Sequence, residues 1–197
     1  MVKEKKSFME RIKPTGFKDL IRRIILLVCV CVFCYSAFNL ASIFLEYKQM
    51  DDSNKKIEET YVTEETTKQD AYKKIDFEGL LKRNPDVKGW IDIPDTKVSY
   101  PILQGETNDT YIHSDIDKKE FRAGSIFIAS ENENPFTDLN TVIYGHNMNN
   151  GSMFNNIKSY TKQDFANEHP YIYIYLPDGT VSRYKVVAAH IIPEKSV

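Results

Sequence analysis

From Ile24 to Leu45 the chain runs for 22 residues without a charged side chain, IILLVCVCVFCYSAFNLASIFL. At about 1.5 Å per residue a helix of this length crosses a hydrocarbon layer of about 30 Å. A buried helix of a soluble domain would normally carry polar residues along one face, and this run has no such face. It reads as a transmembrane span. Eight basic residues precede it (Lys3, Lys5, Lys6, Arg11, Lys13, Lys18, Arg22 and Arg23), against Glu4, Glu10 and Asp19. The chain as a whole carries a formal charge of −2. The positive-inside rule then predicts residues 1–23 as a cytoplasmic basic arm, 24–45 as the span, and the remainder outside the cell. The apolar stretch is longer than the core of a typical cleaved signal peptide and has no clear small-x-small site after it. It is therefore expected to stay as a signal-anchor in the cell membrane.

Cys29, Cys31 and Cys34 all fall inside the span, where they read as small apolar residues. Residues 46–197 hold no cysteine. The exported part has no disulfide to support it and no thiol of its own. Outside the N-terminal arm no basic cluster occurs, so no nucleic-acid partner is expected. Four scattered histidines do not form a metal-ligand set, and no cofactor is expected.

Residues 46–75 are polar and charged, with few large apolar residues and no Gly or Pro. They read as a solvated helix or flexible stem between membrane and domain. The folded domain is expected to span 76–197. Asp76 is positioned to cap a helix over Phe77–Arg83, and Asn84-Pro85 ends it. Short strands follow around Trp90–Ile93, Val98–Leu103, Ser125–Ile128, Thr141–Tyr144, Tyr171–Leu176 and Arg183–Ile192, the last two joined by Pro177-Asp178-Gly179. Short strands separated by turn signals predict a small β-barrel. Apolar spacing allows one more helix around Met153–Tyr160.

His146 ends the run Thr141-Val142-Ile143-Tyr144-Gly145 and precedes Asn147-Met148-Asn149-Asn150-Gly151-Ser152-Met153-Phe154. A histidine at a strand end, on a Gly-hinged turn, is placed for acid–base chemistry at a cleft. Its natural partner would be a cysteine nucleophile further along the chain, and none follows. Taken alone, the histidine and its asparagines also suit a metal-dependent nuclease turn, which needs a divalent ion and leaves the other motifs unexplained. His113, His169 and His190 read as surface or groove-edge residues. Trp90 reads as a core anchor, and Glu131, Glu133 and Asp138 as solvated loop charges.

Together these motifs resemble the class B sortases. The likeness rests on the anchor, the stem and the helix ending near Asn84-Pro85-Asp86. It continues through Gly89-Trp90-Ile91-Asp92-Ile93, Tyr100-Pro101-Ile102, Gly124-Ser125-Ile126-Phe127, and Tyr144-Gly145-His146-Asn147-Met148 with Gly151-Ser152-Met153-Phe154 behind it. The resemblance covers about Phe77 to Ile192. It implies a mainly β fold with an N-terminal helix: a sortase-type β-barrel preceded by one transmembrane helix. It also implies a cysteine transpeptidase that cleaves a C-terminal sorting signal and joins surface proteins to an amine of the cell-wall precursor or a pilin. In such a site cysteine attacks, histidine handles protons, and arginine steadies the oxyanion. By position, His146 corresponds to the catalytic histidine and Tyr144 to a groove residue. Asn108 and Ile112 fall in the family's Asp-Asn-x-x-Tyr-Leu stretch, with Thr107 in place of aspartate and Ile112 in place of leucine. The Thr-Leu-x-Thr-Cys strand and the arginine strand after it have no counterpart before Val197. The expectation is thus a sortase domain incomplete at its C-terminus and lacking its last two strands. The alternative is a catalytically inactive, membrane-anchored binding module or remnant.

Overall fold

The computed structural model describes residues 16–66 and 71–192. Of the basic arm, Lys3, Lys5, Lys6, Arg11 and Lys13 lie outside the described residues. The first helix, α1, runs from Phe17 to Tyr61. It contains the apolar run expected to span a membrane, and that window is not buried against protein. The chain divides into two compact units, Met1–Lys48 and Gln49–Val197.

Within the second unit, residues expected to form a polar stem contribute to the core. Met50 and Ile57 on the last turns of α1 are buried. Seven positions apart, they fall on one face of the helix. After α1 come β1 (Val62–Thr66) and β2 (Ala71–Ile75), paired antiparallel from Val62↔Ile75 to Thr66↔Ala71. Helix α2 (Phe77–Arg83) begins where expected. The Asp76 carboxylate accepts the Gly79 N–H at 2.9 Å, which satisfies one of the free donors of the first turn.

The remaining strands are β3 (Val87–Asp92), β4 (Ser99–Leu103), β5 (Ile126–Ile128), β6 (Ile143–Tyr144), β7 (Tyr171–Tyr175) and β8 (Val181–Lys185). They form one six-stranded sheet in the order β6-β5-β4-β3-β7-β8. Among the described residues this is the expected mainly-β architecture, a barrel-type sheet of six strands. A 3-10 helix (Phe154–Thr161) and a short helix α3 (Gln163–Glu168) connect β6 to β7. The first falls in the stretch expected to be helical; the second is too short for its periodicity to be read from sequence. The expected strand to Ile192 stops at Lys185, which pairs with Tyr171. Pro170 precedes Tyr171, and the ladder closes with the Val186 N–H on the Pro170 carbonyl.

Trp90 is fully buried at the centre of a cluster with Ile57, Leu80, Val87, Leu103, Tyr111, Ile116, Phe127 and Tyr175. Tyr175 therefore faces the core. Ile174 on the opposite face is buried as well, so β7 is covered on both faces at this end. Proline is unusual inside a central strand because it cannot donate to the ladder. Pro101 is accommodated because β5 pairs only with Ile102 and Leu103 of β4.

A partly buried polar cluster ties β2 to this core. Lys73 Nζ lies 2.7 Å from Asp92 Oδ1, 2.9 Å from Glu58 Oε1 and 3.0 Å from Ser99 Oγ. Trp90 Nε1 also donates to Ser99 Oγ, at 3.2 Å. Burial opposes both charges. For Lys73 the two carboxylates outweigh it and hold the ammonium above its ordinary value. For Asp92 burial outweighs its bond to Lys73, and the carboxyl is pushed up.

Candidate functional site

β4 and β5 run parallel, so the chain between them must cross over. That crossover, residues 104–125, carries Asn108, Ile112 and His113. β6 returns antiparallel to β5, with Tyr144 opposite Phe127. The sheet topology thus brings the crossover and the strand end before His146 to the same edge.

At this edge His146 Nε2 lies 2.7 Å from the Ile112 carbonyl oxygen. A carbonyl only accepts, so the ring nitrogen carries the proton and donates. In the neutral ring this leaves Nδ1 as the basic nitrogen. The His113 ring stacks beside it, centroids 5.5 Å apart and planes 19° apart. His146 is half-buried, and Ile112 and Tyr144 are exposed. The Tyr144 ring tilts against Phe127 at 5.3 Å.

Two glycines create the space. Gly124 has φ +57, and a Cβ there would collide with the Ile112 carbonyl group. This is a left-handed conformation that side chains resist. Gly145 acts differently from the expected hinge. It is absent from the glycines of positive φ, but a Cβ on it would meet the Ile126 side chain and lie 2.7 Å from the Phe154 ring. What it permits is close packing of the strand end onto β5. Behind it, the Phe154 N–H returns to the His146 carbonyl at 2.9 Å. Met153, at φ +53, donates its N–H to the Tyr100 hydroxyl at 3.0 Å. Burial pushes that phenol up to about 12, so it stays protonated.

The crossover is held from below. Tyr111 is fully buried, and its hydroxyl donates to Asp86 Oδ2 and accepts from Asn84 Nδ2, both at 2.7 Å. Asn84 also donates to the Ile116 carbonyl at 2.7 Å. Asn108 makes a different contact. Its amide donates to both Glu131 oxygens at 3.0 and 3.1 Å, and its carbonyl accepts the Ser130 N–H at 2.8 Å. That amide holds the Glu131 carboxyl below its ordinary range.

Of the four expected site residues, His146 and Ile112 are in direct contact, and Tyr144 is two residues from His146. Asn108 lies on the same crossover but is bonded to the loop after β5. His113, read with His169 and His190 as a surface or groove-edge residue, is a neighbour of His146. Its adjacency to Ile112 was the available signal. His169 and His190 are elsewhere. His169 Nδ1 sits 3.1 Å from the Pro94 carbonyl, and His190 is exposed.

Comparison with known proteins finds a family model described as the sortase domain matching residues 91–197. Sortase B of Listeria monocytogenes is 36% identical over 154 residues, 78% of this chain and 63% of that protein. Sortase B of Staphylococcus aureus is 33% identical over 150 residues, 76% of this chain and 60% of that protein. The crystal structure of sortase B from Bacillus anthracis in complex with AAEK1 superposes with a TM-score of 0.63 at 27% identity. It covers 78% of this chain and 75% of that one. The chain thus spans less than two thirds of the length of either curated relative.

Proposed function

Because this chain belongs to the class B sortases, we propose that its folded unit forms the histidine side of a membrane-anchored cysteine transpeptidase site. Its substrates are surface proteins with a C-terminal sorting signal, and its acceptor is an amine of the cell-wall precursor or a pilin. The apolar part of α1 anchors the protein in the cell membrane, with residues 1–23 cytoplasmic and residues 76–197 as the extracellular sortase domain.

In this chemistry a thiolate attacks the scissile carbonyl, and the amide nitrogen departs with a proton from the imidazolium. The acyl group is then held as a thioester. An incoming amine gives a proton back to the imidazole, attacks the thioester and releases the thiolate, which restores the starting pair. His146 is the proton-transfer residue. Tyr144, Asn108 and Ile112 line the groove for the sorting signal. Residues 46–197 contain no cysteine, so on their own they supply the proton-transfer and groove side of the reaction and not the nucleophile. What carries the reading is the 2.7 Å contact between His146 and the Ile112 carbonyl. Two positions 34 residues apart, each singled out by family motif, meet at one edge of the sheet.

A sorting peptide of the Asn-Pro-x-Thr kind bearing a photoreactive group tests this on the full chain in detergent. Capture is expected at 108–113 and 144–146, reduced by excess unlabelled peptide. Without light, intact mass should show no acyl adduct. Capture spread over other surfaces, or unaffected by competitor, would contradict the assignment.

A further inference from the structure

We propose that His113 is a positioning residue for His146, acting through the stacked ring pair, and that Tyr111–His113 form the platform that holds the imidazole in one orientation. The inference rests on the reading of His146 as the proton-transfer residue.

An imidazole at a strand end has two soft torsions and many orientations in water. Two contacts restrict this one, and they come from consecutive residues. The Ile112 carbonyl takes the Nε2–H at 2.7 Å. The His113 ring is stacked beside that of His146, with centroids 5.5 Å apart and only 19° between planes. The hydrogen bond fixes where Nε2 points, but the ring can still turn about that bond. The stack removes that remaining freedom. A partly exposed hydrogen bond also competes with water, and an adjacent ring shields it.

The platform itself cannot shift easily. The Tyr111 carbonyl accepts the Ser125 N–H at 3.0 Å, and the His113 carbonyl accepts the Phe121 N–H at 2.9 Å. These bonds bracket Ile112 on both sides. The Tyr111 side chain is fixed in the core by Asn84 and Asp86. Gly124 leaves room for the Ile112 carbonyl, which a Cβ would displace. A rigid support of this kind is what a reacting group needs if it is to stay near its productive geometry. Nδ1 is then the nitrogen left to exchange a proton with a substrate.

The role requires a flat ring at position 113 and no ionisable group. His113→Phe should therefore replace it, and His113→Ala should not. The readout is the exchange of the His146 Nε2 proton with water, followed by 15N-histidine NMR on the full chain in detergent at neutral pH. His113→Ala is expected to speed exchange about three- to tenfold, the worth of one ring stack. His113→Phe should stay within about twofold of the parent on the same scale. Unchanged exchange in His113→Ala overturns the proposal, and so does fast exchange in both variants. His113 is exposed, and an unchanged backbone amide spectrum controls for folding. The measurement uses no peptide. A failure of peptide capture with the exchange pattern intact would count against the transpeptidase reading alone.

Discussion

Replacing Lys73 with methionine lowers the stability of the folded unit by about 3 kcal/mol at pH 7, the usual cost of removing one partner from a buried ion pair. The reason lies with Asp92, whose side chain is 8% exposed. Lys73 is its only cationic contact among the described ion pairs. Without it the carboxylate keeps the Ser99 and Trp90 side of the cluster but loses its counter-charge. It must then either stay ionised in a poorly solvating site or take up a proton. Asp92 is already held above its ordinary value of 3.8 by burial, and losing Lys73 moves it further up. The sign of the pH dependence follows. An acid whose folded pKa is raised contributes stability below its unfolded value, and that contribution is lost as pH rises through the folded value. The deficit of Lys73→Met relative to the parent should be small near pH 4 and grow toward neutrality. Urea unfolding followed by Trp90, the single tryptophan, measures it. Pairing the change with Asp92→Leu should recover much of the loss, since a buried pair exchanged for apolar residues is often neutral or better. A single variant as stable as the parent across this pH range would contradict the account of the cluster.

Trp90→Ala is expected to cost about 4 kcal/mol. Its indole is fully buried at the centre of the main cluster, between β4 and β7, opposite Pro101 and Tyr175. Truncation removes that packing and leaves a cavity, and it also frees Ser99 Oγ from one of its two donors. A domain with 5–15 kcal/mol of stability would lose a large part of it. Circular dichroism under urea gives the measurement, since the variant lacks its fluorophore. A loss under about 1 kcal/mol would mean that the indole is not the core anchor. Trp90 and Lys73 share Ser99, so the two losses should not add.

The sequence made the sheet visible wherever apolar and β-branched residues cluster between turn signals, as at Trp90–Ile93, Val98–Leu103 and Tyr171–Leu176. The helix after Asp76 was visible through its cap. The β1–β2 hairpin was not, because it lies in a stretch whose composition is that of a solvated stem. Lys73 is the clearest case. A lysine among other charges reads as a surface residue until the fold encloses it between Glu58 and Asp92. The same limit applies at the edge of the sheet. His146 stood out by its place at a strand end, and Ile112 by family position, but their contact runs through a backbone carbonyl, which no side-chain pattern encodes. His113 was set aside because its partner is 33 positions away and becomes a neighbour only through the parallel crossover between β4 and β5. Gly145 was read as a hinge on composition. Its actual contribution, an absent Cβ against Phe154, depends on packing that only the fold supplies.

The central claim is that these residues form the proton-transfer and groove side of a sortase-type site. It is tested most directly by supplying the other side. A class B sortase segment carrying the Thr-Leu-x-Thr-Cys strand and the arginine strand, fused after Ile192, should give a protein that cleaves an Asn-Pro-x-Thr peptide and passes it to an amine. Cleavage should fall by about a hundredfold or more with His146→Ala, the usual weight of a general acid–base group. A folded fusion whose cysteine is reactive but which does not cleave the peptide, or cleavage indifferent to His146, would contradict the account.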